Sequence, residues 1–226
     1  MAPPGYHNRQ ITICSKIRSL LNALAKESSK YDQIAPKIEY WIEYVFREDF
    51  ATVDQLVEGV SDFPWENAQA SYSSVGRFLK EFHDAPHRSE QAKSFVSQLC
   101  PYVLRRFAIG ATEDLRYGSG GLISNNGQGF TSAGSFIGHL IEWDLLSHDL
   151  VRRHLTRSLT NHHDDGNRGG NTYGATRAWA IYRLLTAAGD TLLQGLLEPD
   201  DVQTCFDILG AWPPQTLGFD VAKLKV

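Results

Sequence analysis

A chain of 226 residues with 42% apolar and 11% aromatic side chains can bury one sizeable core, which excludes disorder throughout. A formal charge of −4 excludes a global basic field, so nucleic acid would have to be held by a local patch. No segment reaches the roughly 20 consecutive apolar residues of a membrane span, and the scattered cysteines Cys14, Cys100 and Cys205 offer neither a disulfide framework nor a CxxC metal pair.

The opening Met-Ala-Pro-Pro-Gly lacks the cationic and then apolar pattern of a secretion signal. A reducing compartment is therefore expected, the cytoplasm first and the nucleus second. Residues 1–10 are expected to be a flexible tail.

From there, apolar residues recur at helical spacing in Ile13, Ile17, Leu20, Leu21 and Leu24, and again in Ile34, Ile38, Trp41, Ile42 and Val45. Asp49 or Thr52 is suited to cap a third helix with Val53, Leu56, Val57 and Val60, which Pro64 terminates. Val75, Phe78, Leu79 and Phe82 mark a fourth helix. Ala92, Phe95, Val96, Leu99, Val103 and Phe107 mark a fifth, which Pro101 should bend by removing a backbone hydrogen bond. Periodicity then lapses between Gly110 and Gly129, whose glycine and asparagine content predicts a long mobile loop.

Order resumes at Phe136, Ile137, Leu140, Ile141 and Leu145, and Ser147 is placed to cap a helix bearing Val151, Leu155 and Leu159. Beyond a polar gap from Asn161 to Asn171, helices are expected at Ala175–Leu185 and, with Pro199 at a first-turn position, at Val202–Leu209. The sum is about nine helices and no strand. Helix pairs succeeding one another at roughly 40 residues predict an all-α, HEAT-like helical-repeat solenoid of about five antiparallel pairs. The expected domain covers residues 11–211, and residues 212–226 form a C-terminal tail.

Two stretches carry a family resemblance. Lys16-Ile-Arg-Ser-Leu-Leu-Asn-Ala-Leu24 resembles the start of the middle domain of eukaryotic translation initiation factor 4 gamma (the MIF4G domain). Phe136-Ile-Gly-His-Leu-Ile-Glu-Trp-Asp-Leu-Leu146, followed by Arg183-Leu-Leu-Thr-Ala-Ala-Gly-Asp-Thr-Leu192, is similar to that domain's central helix and its later leucine-leucine-threonine helix. Residues 51–84, with Tyr72 and Ser73, resemble the intervening pair.

The resemblance implies a free-standing HEAT-type adaptor without catalysis or cofactor. It would bind a protein partner of the DEAD-box RNA helicase class and, weakly, RNA. The segment before Phe136 carries no cation, Asp190 stands where the family has lysine, and Tyr31, Tyr40, Tyr72, Tyr102 and Tyr182 do not carry the tyrosine-leucine signature of the cap-binding partner. These departures lower the expected attraction for RNA. The same fold serving a protein partner unrelated to RNA is the alternative.

Arg152, Arg153 and Arg157, with Arg105 and Arg106, are the candidate cations for partner or RNA phosphate. His162-His163-Asp164, with His154 nearby, supplies zinc-ligand residue types and defines a lesser alternative, a metal-dependent hydrolase. Adjacent residues in a solvated loop seldom converge on one ion, so no metal is expected. The glycine stretches lack the lysine-serine ending of a phosphate loop.

Overall fold

The computed structural model describes residues 6–66, 71–112, 127–147, 149–154, 180 and 182–189, and every regular element among them is helical. In chain order they are α1 (Tyr6–Lys26), α2 (Tyr31–Arg47), α3 (Val53–Val60), a 3-10 turn (Phe63–Trp65), α4 (Ser73–Asp84), α5 (Glu90–Thr112) and α6 (Gly127–Glu142). Shorter helical stretches follow at 149–154 and 182–188. Residues 155–179, including the whole polar gap and His162 to Asp164, lie outside the described residues, as do the helix expected at Val202–Leu209 and the tail at 212–226.

Amphipathic spacing places the first helices. Ile13, Ile17, Leu21 and Leu24 are buried on α1, and Ile34, Ile38, Ile42 and Val45 on α2. α1 starts at Tyr6, so residues 6–10 are helical rather than tail. No Gly or Pro follows Gly5 there, and once α1 is anchored each further residue adds a hydrogen bond at little nucleation cost.

The connection from α2 to α3 is built from local signals. Asp49 has φ of 52°, the Phe50 N–H reaches the Val45 carbonyl at 2.9 Å, and the Asp49 N–H reaches that of Phe46 at 3.3 Å. This is the left-handed Schellman ending of a helix. Thr52 then caps α3: its hydroxyl accepts the Gln55 N–H at 3.3 Å, and the Gln55 side chain accepts the Thr52 N–H at 3.0 Å.

The end of α6 repeats the device. Asp144 has φ of 52°, the Leu145 N–H reaches the Leu140 carbonyl at 2.9 Å, and the Ser147 backbone carbonyl accepts the Val151 N–H at 3.0 Å at the start of the 149–154 helix. Asp, two apolar residues and then Ser or Thr therefore recur at corresponding joints.

α5 runs unbroken through Pro101. It continues to Thr112, and α6 begins at Gly127, so both ends of the expected mobile loop are helical and residues 113–126 lie outside the described residues. Close approach accounts for the glycine at 129: a Cβ there would stand 2.7 Å from the Trp65 carbonyl oxygen. The residue serves contact rather than looseness.

α6 is the most enclosed element, with residues 131–138 buried without interruption. It packs on α4, α5 and the 3-10 turn. A Cβ on Gly134 would lie 2.4 Å from the Ala180 carbonyl oxygen, and one on Gly138 would lie 2.4 Å from that of Leu184. The helix at 182–188 is thus seated on a glycine face of α6. Near the other side, Phe63, Tyr72 and Phe136 form an edge-to-face trio with centroids 4.9 to 6.0 Å apart.

Candidate interaction surface

The arginines separate into different roles. Arg105 and Arg106 are neighbours on α5, but only Arg105 is exposed; its Nε donates to the Pro101 carbonyl at 3.3 Å. Arg106 turns inward. One of its guanidinium nitrogens lies 2.5 Å from Asp62 Oδ1 and 3.0 Å from Ser61 Oγ, and the group rests 4.9 Å from the centroid of Trp65.

Arg18 comes to the same place from α1, 3.9 Å from Asp62 and 3.2 Å from Glu66, while Asn22 donates to Glu66 at 2.7 Å. Arg106 is therefore a tie between α5 and the 3-10 turn rather than the free partner-binding cation that its sequence position suggests. Freeing it would leave Asp62, in a partly buried site, with the longer Arg18 contact in its place.

Arg152 and Arg153 are both exposed on the 149–154 helix, whereas Arg157 lies outside the described residues. Among the described residues no group of three or more His, Cys, Asp or Glu could hold a metal ion. None of their helices is long and apolar enough to cross a membrane.

One arrangement has the residue types of acyl-transfer chemistry. His83 Nδ1 is 3.0 Å from Asp84 Oδ1, and its Nε2 is 3.1 Å from Ser97 Oγ. The His83 contact, aided by Lys80, holds the Asp84 carboxyl below the ordinary carboxylate range. Ser97, however, sits exposed inside α5, where neighbouring backbone amides are consumed by the helix, so they cannot form an oxyanion hole. Its hydroxyl is also 3.1 Å from the Lys93 carbonyl oxygen. The group works as a hydrogen-bonded strap between α4 and α5.

No family model, curated protein or solved structure matches this chain. Assignment of a surface therefore rests on its own chemistry.

On those terms the outer stripe of α2 stands out. Tyr40 is 55% exposed, and with Ile11 it is one of the large apolar side chains left in water among the described residues. Tyr40 stacks on Tyr44 at 5.8 Å and 14°, and Trp41 stands edge-on to both, at 79° and 88°. The Arg47 guanidinium lies 5.6 Å from the Tyr44 centroid. Tyrosine, tryptophan and arginine are the residue types that dominate protein-binding hot spots.

The helical repeat of Tyr40, Tyr44 and Arg47 was visible in the letters, but Trp41 drew attention to the buried face alone. Trp41 is half-buried and packs at the margin of the core, so it serves both.

Proposed function

We propose that the chain is a non-enzymatic adaptor, a HEAT-like solenoid resembling the middle domain of translation initiation factor 4 gamma, that docks a protein partner of the DEAD-box RNA helicase class and binds RNA only weakly. The observation that carries the reading is the seating of the stretch Phe136–Leu146 on the later stretch that begins at Arg183. Gly138, within Phe136–Leu146, meets Leu184, Ala187 and Ala188, within Arg183–Leu192. Stretches far apart in sequence that resemble one domain's central and later helices would have to pack in this way if the likeness is one of fold.

The repeat character has its own support. Alternate helices touch in series, α1 with α3 and α3 with α5, then α2 with α4 and α4 with α6, as stacked helix pairs require. The recurring Asp and Ser/Thr joint after α2 and α6 fits the same scheme. Contacts of α1 with α4 and of α2 with α5 make the stack tighter than a strictly linear one.

The second reading, a protein-interaction domain of the same fold unrelated to RNA, is favoured by the commitment of Arg106 to Asp62, which withdraws one of the few candidate phosphate contacts. Affinity capture from nuclease-treated cytoplasmic lysate separates the readings. Recovery of a DEAD-box helicase supports the first, and recovery only of partners that never associate with ribonucleoprotein selects the second. If RNA is bound, neutralising Arg105, Arg152, Arg153 and Arg157 should lower affinity and flatten its salt dependence. Failure to recover any specific partner sinks both readings.

A further inference from the structure

α2 is divided lengthwise by charge. On one flank Glu39 Oε2 lies 2.5 Å from an Arg88 guanidinium nitrogen, and Glu43 accepts the Ser89 hydroxyl at 3.0 Å and its amide at 3.4 Å. Those carboxylates are consumed in holding the α4–α5 connection. On the outer stripe Lys37, Tyr40, Tyr44 and Arg47 succeed one another at steps of three or four residues, so they share a face.

Lys37 is exposed and makes no ion pair among the described residues. Among the described residues Arg47 makes its ion pair with its neighbour Glu48, at 3.2 Å and with both side chains largely in water, a contact that competes weakly with an incoming anion. Between these cations lies the aromatic step of Tyr40 and Tyr44 backed by the indole edge of Trp41.

The dimensions select a ligand. Lys37 and Arg47 are ten positions apart, hence about 15 Å along the helix at 1.5 Å per residue. A polyproline II chain rising 3.1 Å per residue covers that in about five residues. A phenol face bordered by indole suits a pyrrolidine ring, and a chain already extended by proline loses little entropy on docking.

We propose that this stripe binds a linear segment of a partner protein in which two acidic residues, about five positions apart, flank proline. The proline packs on the open face of Tyr40 and the carboxylates meet Lys37 and Arg47. The overall charge of −4 opposes such a ligand at long range, but beyond about 8 Å that field is screened at physiological salt and the local cations decide. The proposal rests on the adaptor reading only in that the ligand is a protein.

The test uses the full chain and a fluorescein-labelled peptide, Ser-Asp-Ala-Pro-Pro-Ala-Asp-Ser, followed by anisotropy. Saturable binding is expected, weakened at least about tenfold by Tyr40→Ala or Lys37→Glu and retained in Tyr40→Phe. Circular dichroism checks that each surface variant keeps its helices. Equal binding of a peptide with lysine in place of aspartate, indifference to Tyr40→Ala, or absence of binding overturns the proposal. So does preferential occupation of the stripe by an oligouridylate, or a dimer that Tyr40→Ala dissolves. Helicase capture that persists while the peptide fails to bind sinks this proposal alone.

Discussion

The Tyr72 hydroxyl donates to the carbonyl oxygen of Pro64 at 3.0 Å, fastening the 3-10 turn to the start of α4 beneath Phe136. Ser132 of α6 also hydrogen-bonds this buried phenol, so a single oxygen joins three elements. Tyr72→Phe keeps the ring and strands the Pro64 carbonyl and the Ser132 hydroxyl. We expect a loss of about 1 to 3 kcal/mol in urea unfolding. An unchanged midpoint would mean that water replaces the phenol without cost.

Gly138→Ala tests the seat of the 182–188 helix. The added methyl would meet the Leu184 carbonyl oxygen at 2.4 Å and the Ala188 nitrogen at 3.0 Å, backbone atoms that cannot rotate away. A loss of about 1 to 3 kcal/mol is expected for such overpacking. It should be accompanied by faster amide exchange in residues 182–188. Helix propensity alone predicts the opposite sign, so a more stable Gly138→Ala would refute the close approach.

At the end of α6, Asp144 holds a left-handed conformation at φ 52° while exposed to solvent. Asp144→Gly removes the Cβ penalty, and thermal unfolding should move upward by the equivalent of up to about 1 kcal/mol. A fall in stability would show that the Asp144 carboxylate contributes more than its backbone geometry costs.

Cys100 is fully buried, and burial pushes its thiol up to about 12 from an ordinary 9.0. The native state keeps this proton where the unfolded chain has lost it, so unfolded molecules bind fewer protons and stability falls as pH rises. The contribution is intact below pH 9.0 and is lost progressively toward pH 12. Burial also raises the Tyr31 and Tyr72 phenols, in the same destabilising direction. Unfolding free energy measured at intervals above pH 9.0 should fall less steeply in Cys100→Ala than in the parent chain; parallel slopes would contradict this assignment.

The helices were legible because each buries a stripe at helical spacing: Val75, Phe78, Leu79 and Phe82 on α4 are buried as their repeat requires. Thr52 was readable as a cap, and the structure selects it over Asp49, which ends the preceding helix instead. The glycines of α6 were not legible. Gly129, Gly134 and Gly138 have the composition of a flexible loop or a weak helix, and only a neighbouring backbone at van der Waals range gives them their purpose.

Among the candidate site residues, letters could not distinguish Arg105 from Arg106. One helical step turns one to water and the other to Asp62, a partner 44 positions away. The exposed stripe of α2 was partly legible, but its meaning depends on Glu39 and Glu43 being occupied by a connection that no local pattern announces.

The enclosure of α6 bears on how the chain is made. Residues 131–138 need cover on every side, and part of that cover, at Ala180 and Leu184, is synthesised some forty to fifty positions later. At about 5 to 20 residues per second, translation leaves the apolar face of α6 waiting for seconds outside the ribosome. During that interval the nascent chain presents a helix-sized hydrophobic surface, the kind of ligand that chaperones hold. Slowing synthesis between α6 and Leu184 should therefore lower the yield of folded protein even though every residue of the finished chain is unchanged.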